Sequence, residues 1–408
     1  MTAPAGTAPA PAPADGFVEV EYRFPPGVDA ARQAKHIAVG QTAGTWSARF
    51  EHRAEAFHRH LGQVADVGPD PFLAGHARAT VRFPVANVEG DLAGLLVMIF
   101  GKYSMAGPAK VMEIRVPEGY GTAPRHGIAG IRRLTGVVGR PPIMAIFKPA
   151  LGLSADDHAT ILGEVADAGL DIIKDDEILG DLPSAPTMQR LRACRRELDR
   201  VKAATGRDVL YAVNLSGRAR DLLARARALV AEGANALLVN VLAYGFPLME
   251  ELASDPEVGV PLFAHPALAG AMCGAPDHGF SYPAVLGSLM AHSGADAVLY
   301  PASYGSLPFD PADEAAIRDR LRARGVFPVP SAGIHPGIVG RALADYGPDV
   351  ILNAGTGIMD HPDGPADGVR AFHEALACVS AGRPLDPDTV DDGPLRRALV
   401  QFGGSTAI

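Results

Sequence analysis

The sequence predicts an α/β protein in which a C-terminal (β/α)8 TIM barrel follows an N-terminal α+β domain. Three observations lead there. From about residue 140 the chain repeats one unit eight times, a short apolar strand followed by a segment rich in Ala, Leu, Arg and Glu. Polar and charged residues collect at the C-terminal ends of those strands, where barrels of this type carry their chemistry. Ahead of residue 140 the rhythm is absent, and strand-like and helix-like pieces alternate irregularly over a stretch long enough for a second domain.

Taken in order, residues 1–15 form an Ala/Pro tract without the basic start and apolar core of a signal peptide, and read as a disordered tail. Residues 16–135 form the N-terminal α+β domain, with strands expected at 17–22 and 79–83 and helices at 30–39 and 91–98. Its unusual stretches are His36 to Trp46 and Phe100-Gly101-Lys102-Tyr103-Ser104-Met105. Lys102, beside a glycine, reads by itself as an exposed loop lysine. Residues 136–408 form the barrel and a C-terminal helical extension, with strands at 144–148, 170–174, 209–215, 236–241, 261–265, 297–300, 327–331 and 350–354. The clearest intervening helix is 155–168, with Ser154 as its N-cap.

Composition narrows the function. Hydrophobic residues at 48% and charged ones at 20% are those of an ordinary soluble enzyme, and the formal net charge of −9 supplies no basic stripe for nucleic acid. No apolar run reaches the roughly 18 residues of a spanning helix, so no membrane partner is expected. Cys194, Cys273 and Cys378 are odd in number and lack CxxC spacing, which argues against a disulfide framework or zinc site and for a cytoplasmic location.

The chemistry concentrates at the end of the second barrel strand, Gly169-Leu170-Asp171-Ile172-Ile173-Lys174-Asp175-Asp176-Glu177. Period-two alternation puts Leu170, Ile172, Lys174 and Asp176 on one face and Asp171, Ile173 and Asp175 on the other. A turn after Asp176 returns Glu177 to the same point, setting a lysine nitrogen beside two carboxylates. Such oxygen donors suit a hard ion such as Mg2+, although a strand surfacing into solvated charge explains the cluster equally well when it is taken alone. Other strand ends contribute Lys148, Asn214, Asn240, His265, Ser331, His335, Asn353 and Thr356. The turns Ser331-Ala332-Gly333 and Ala354-Gly355-Thr356-Gly357 follow the last two strands, where barrels bind phosphate through bare backbone N–H groups.

These residues resemble the RuBisCO large-chain superfamily, and more closely its RuBisCO-like (form IV) members. The resemblance is carried by Gly44-Thr45-Trp46, the run from Lys148 to Ser154, Lys174-Asp175-Asp176-Glu177, Asn214, His265, the run from Ser331 to His335 and residues 355–362. It implies that Lys174 takes up CO2 as a carbamate, which binds Mg2+ together with Asp176 and Glu177. It further implies that Lys148 lies beside the substrate's reacting carbons and that Ser331, Gly333, Gly355 and Thr356 help cradle its phosphate; His265 ends a barrel strand, where a polar contact to substrate is the default expectation. Lys102 is similar to the proton-abstracting lysine of RuBisCO-like enolases, a residue that reaches the barrel of a partner subunit, so a homodimer or higher homo-oligomer is implied. The departures argue against carboxylation. Ser306 stands where RuBisCO has its loop-six lysine, Ala150 replaces the second lysine of KPK, Pro266 replaces the strand-five arginine, and Gly40 or Gln41 replaces a glutamate.

Several reactions use what survives, all proceeding through an enediolate from a small phosphorylated keto substrate. The leading expectation is a lyase that decarboxylates or cleaves a 3-oxo sugar-acid phosphate of the 3-oxo-isoapionate 4-phosphate type, because Thr356 and Met359-Asp360 look unlike the enolases. The alternatives are 2,3-diketo-5-methylthiopentyl-1-phosphate enolase of methionine salvage, an isomerase of a methylthio sugar phosphate, and a non-catalytic binder of a phosphometabolite.

Overall fold

The computed structural model describes residues 16–44 and 48–404, so the Ala/Pro tract and Thr45-Trp46 lie outside the described residues. The N-terminal half contributes strands β1 (Phe17–Phe24), β2 (Gln63–Pro69), β3 (Ala77–Pro84) and β4 (Lys110–Arg115). In β1, Val18, Val20, Tyr22 and Phe24 are fully buried on one face, while on the other only Glu19 is buried. They pack beneath helices Ala30–Gly40 and Leu92–Phe100, which turn Ala34, Ile37, Leu92, Leu95 and Ile99 into the same core. Asp29 and Asp91 cap these helices, accepting from the backbone N–H groups of Arg32 and Gly94.

The second half contributes β5 (Ile143–Ile146), β6 (Ile172–Lys174), β7 (Leu210–Asn214), β8 (Ala236–Val239), β9 (Leu262–Ala264), β10 (Gly279–Phe280), β11 (Ala297–Pro301), β12 (Phe327–Ser331) and β13 (Leu352–Ala354). Eight of these form a parallel sheet in the order β12-β11-β9-β8-β7-β6-β5-β13. The barrel closes between β12 and β13 through the Ile351 N–H, which donates to the Pro328 carbonyl at 3.1 Å. The seam is thin for a chemical reason. Phe327 donates toward β11, so the nitrogens of Pro328 and Pro330 face β13 and have no hydrogen to give.

Met144, Ile172, Leu210, Leu238, Phe263, Leu299, Phe327 and Val329 fill the barrel interior. Helix Gly127–Thr135 plugs its N-terminal end: Ile131 joins the interior cluster, and the His126 and Gly127 N–H groups donate to Asp296, just ahead of β11. Polar chemistry is left to the opposite rim. Helix Ala155–Asp167 starts at a reciprocal capping box in which Ser154 and Asp157 exchange bonds. Most observed strands are shorter than the apolar runs that announced them, because the flanking residues are buried without joining the ladder. Leu170, for instance, is fully buried while its N–H returns to Val165.

Strand β10 departs from the eight-unit reading. Its residues Gly279 and Phe280 pair in parallel with Lys110 and Val111 of β4, so the barrel half lends a strand to the N-terminal sheet, ordered β10-β4-β1-β3-β2. The buried Lys110 ammonium fastens this junction, donating to the carbonyls of Cys273 (2.9 Å) and Ala275 (2.6 Å). No helix among the described residues is long and apolar enough to cross a membrane.

Candidate active site

Lys174 ends β6 on the inward face, in register with Ile146 of β5 and Ala212 of β7, and is 1% exposed. Its pKa is lowered to about 8: burial is the main cause, the nearby Glu177, Asp176 and Asp175 charges partly offset it, and Lys148 adds a smaller lowering. Asp176 follows on the same face and accepts from Lys148 Nζ at 2.6 Å. Burial pushes the Asp176 carboxyl up, but the Lys148 hydrogen bond, the Ile178 N–H and both lysine charges outweigh it and hold the group below the usual range. The predicted grouping of Lys148, Lys174, Asp176 and Glu177 is therefore present at one rim.

Asp175 goes the other way. It is buried outside the barrel wall, ion-paired at 2.9 Å with an equally buried Arg190. It also accepts from the Tyr211 hydroxyl (2.6 Å) and the Asn214 N–H (2.9 Å). Arg190 comes from helix Thr187–Thr205, so this network bolts the end of β6 to the outer layer. The side chains flanking Asp175 in sequence are thereby aimed inward.

Glu177 is steered through its backbone. The side-chain amides of Asn214 and Asn240 both donate to the Glu177 carbonyl at 3.0 Å. His265, at the end of β9, sets Nε2 3.4 Å from Glu177 Oε2. Its Nδ1 accepts from the Ala267 N–H, which assigns the ring proton to Nε2. Burial and the Lys174 charge depress the imidazole to about 3, with Asp176 opposing, so it is neutral. His265 thus touches the acidic cluster, a contact that its position at a strand end did not specify.

The two glycine turns follow β12 and β13, and the second of them abuts the cluster at Lys148. Gly333 has φ +92°, and a Cβ there would lie 2.6 Å from the Ser306 nitrogen. Ser331 accepts from the Asn353 amide at 2.8 Å, which ties the turn after β12 to β13. A Cβ on Gly355 would lie 3.6 Å from Lys148 Cε, so the last turn abuts the lysine of the first strand. Thr356 opens the short helix Thr356–Met359.

Lys102 is exposed on the N-terminal domain and is not brought to the cluster within this chain. Gln41, one of the two positions where a glutamate was expected, donates to the carbonyls of Val97 and Met98, bracing the helix that leads to Lys102.

The barrel rim thus carries Lys148, Lys174, Asp176, Glu177 and His265. The ribulose bisphosphate carboxylase large chain, catalytic domain, matches residues 127–326 and 310–402. The chain belongs to this family. A 2,3-diketo-5-methylthiopentyl-1-phosphate enolase of Microcystis aeruginosa is 62% identical over 384 residues, which cover 94% of this chain and 99% of the relative. The crystal structure of a rubisco-like protein (MtnW) from Alicyclobacillus acidocaldarius has a TM-score of 0.88 at 40% identity, covering 96% of this chain and 100% of that one. Octameric ribulose-1,5-bisphosphate carboxylase/oxygenase from Pyrococcus horikoshii also reaches 0.88, at 28% identity over 96% of this chain and 94% of its own. The barrel with its separate N-terminal sheet is the fold of these neighbours.

The relatives overturn the expectation of a lyase decarboxylating or cleaving a 3-oxo sugar-acid phosphate, because the highly identical, full-length relative is an enolase. That expectation leaned on Thr356 interrupting a glycine run. Among the described residues only Leu268 and Ala332 are non-glycines with positive φ, so Thr356 has an ordinary backbone. A phosphate held by backbone N–H groups is indifferent to a side chain there, and the threonine does not discriminate between the two substrates.

Proposed function

We propose that this protein is a Mg2+-dependent enolase that converts 2,3-diketo-5-methylthiopentyl-1-phosphate to its enol. The observation that carries the reading is the inward-facing cluster of Lys174, Asp176 and Glu177 with Lys148 bonded to Asp176. Among the described residues no three His, Cys, Asp or Glu side chains converge on one point. Two carboxylates beside a buried amine of lowered pKa therefore form a donor set one oxygen short. A CO2-derived carbamate on Lys174 supplies that oxygen, since a neutral amine is the form that adds to CO2. Asp176, Glu177 and the modified Lys174 then fit a hard divalent ion. When bound, Mg2+ polarises the substrate carbonyl and offsets charge developing on its oxygen.

The chain's own groups do the rest. The backbone N–H groups around Gly333 and Gly355 hold the phosphate and Lys148 orients the reacting carbons. Lys102 of the partner subunit removes the proton from C1, next to the C2 carbonyl, as the electron pair forms the C1–C2 double bond. Val97 and Met105, which flank Lys102 with exposed apolar side chains, suit a face covered by a second copy of the chain. Leu151, Ile178, Leu268 and Leu307 are likewise exposed on the chain leaving β5, β6, β9 and β11. Apolar groups at that rim favour a thioether-ended substrate over a polar sugar acid.

The test is NMR-detected turnover in D2O with bicarbonate and Mg2+. Wild-type protein should form the enol and place solvent deuterium at C1, Lys102→Ala should abolish exchange, and a mixture of Lys102→Ala with Lys174→Ala should regain part of it through mixed dimers. Failure of wild-type protein to exchange C1 refutes the reading.

A further inference from the structure

The turn from Ser331 to Gly333 is strained and is not self-supporting. Ala332 adopts φ +68° without being glycine, and Gly333 adopts +92°. What holds it is the turn after β11. Ser306 donates its N–H to the Ala332 carbonyl at 2.8 Å, and a Cβ on Gly305 would come within 1.9 Å of that same oxygen. Residues 302–306 are therefore pressed against the turn from one side.

That brace has an anchor of its own. Glu314, on helix Pro311–Ala323, is 5% exposed. One of its oxygens accepts from the Ser303 N–H at 2.7 Å, and the other from the Tyr346 hydroxyl at 2.5 Å. Tyr300, in β11, donates to the Tyr346 oxygen at 3.2 Å. Behind the turn lies a cavity of about 110 Å³ lined by Ser303, Glu314, Arg318, Arg341 and Tyr346 among others. The space behind Ser303 is unfilled, and the carboxylate bond to Ser303 holds the turn from that side, alongside the Ala302 N–H, which donates to the Ser331 carbonyl at 2.9 Å, and the Tyr304 ring, which packs into the core.

We infer that Glu314 is a positioning residue for phosphate binding: it fixes Ser303, which sets Gly305 and Ser306 against Ala332 and so holds the Gly333 N–H in place for the anion. The inference rests on the reading that this turn binds the substrate's phosphate. It does not require Glu314 to touch substrate. Its signature is a loss of affinity with little loss of turnover, because the proton-moving groups lie elsewhere on the rim.

The experiment measures inorganic phosphate binding by calorimetry alongside steady-state turnover of the diketo phosphate. Glu314→Ala should weaken phosphate binding and raise KM by about tenfold, the loss expected of one charge-assisted hydrogen bond, with kcat within about twofold of wild type. The polar cavity can admit water to the freed Ser303 N–H, which favours folding of this variant. Glu314→Gln should restore both values, since the amide oxygen still accepts from Ser303, and Tyr346→Phe, which removes only the other bond, should leave them unchanged. If Glu314→Ala fails to fold, Gly305→Ala attacks the same brace from the Ala332 side and should give the same rise in KM. A lower melting temperature with unaltered phosphate affinity and KM overturns the inference, as does an equal KM effect from Tyr346→Phe. Wild-type protein that binds phosphate, loses affinity on Glu314→Ala, yet ignores the diketo phosphate refutes the proposed substrate and leaves the positioning role standing. Wild-type protein that binds no phosphate refutes both.

Discussion

Lys174 and Asp175 are neighbours with opposite tasks, and they should fail in different ways. Lys174→Ala removes the amine that completes the donor set, so Mg2+-dependent turnover should fall by about 10²–10³-fold or more. Arg190→Ala leaves the fully buried Asp175 charge without its partner, and should cost about 3–5 kcal/mol of unfolding free energy. Urea unfolding and a Mg2+-dependent assay on both variants separate the roles, and an equal stability loss in the two would refute the assignment. The opposite facing of these residues was legible from period-two alternation alone. Their partners were not, because Arg190 and Tyr211 lie 15 and 36 residues from Asp175. Asn214 and Asn240 were visible as polar strand ends, but a grip on the Glu177 carbonyl carries no side-chain signature in the sequence.

At the scale of elements, apolar runs marked which segments are buried, and ladder geometry then decided how many residues pair. At Gly333 the glycine answers to a positive φ, whereas Ala332 beside it adopts one without being glycine and so hid the conformation of the turn, and Gly355 has no positive φ to account for it. The prolines of β12 argue against a strand until its position at the barrel seam is known. Gly333→Ala and Gly355→Ala should differ accordingly. The first places a Cβ 2.6 Å from the Ser306 nitrogen at φ +92°, and should cost more than about 1 kcal/mol of stability as well as phosphate affinity. The second meets Ile146 and Lys148 at an ordinary 3.6 Å and has no positive φ. It should fold normally and alter kcat through Lys148. Thermal melts with kinetics on both variants check this, and normal phosphate affinity in Gly333→Ala would contradict the role given to its turn.

For the whole molecule, the two halves are joined by more than the shared sheet. Glu250, on barrel helix Phe246–Ser254, accepts from the Leu92 N–H at 3.2 Å, at the start of the N-terminal helix that leads to Lys102. This link was hidden from the sequence because its two ends are 158 residues apart. Burial pushes the Glu250 carboxyl from 4.5 up to about 7, with the Asp91 charge adding to the rise and the Leu92 N–H opposing it. Between those values the folded chain holds a proton that the unfolded chain has released. Stability from this site is therefore present below about pH 4.5, falls as pH rises through the window, and is level above pH 7. Glu250→Gln keeps an oxygen for Leu92 and has no proton to lose. Its melting temperature relative to wild type should accordingly climb between pH 4.5 and 7 and then hold constant, whereas a difference independent of pH would show that Glu250 carries its charge in the folded state as freely as in the unfolded chain.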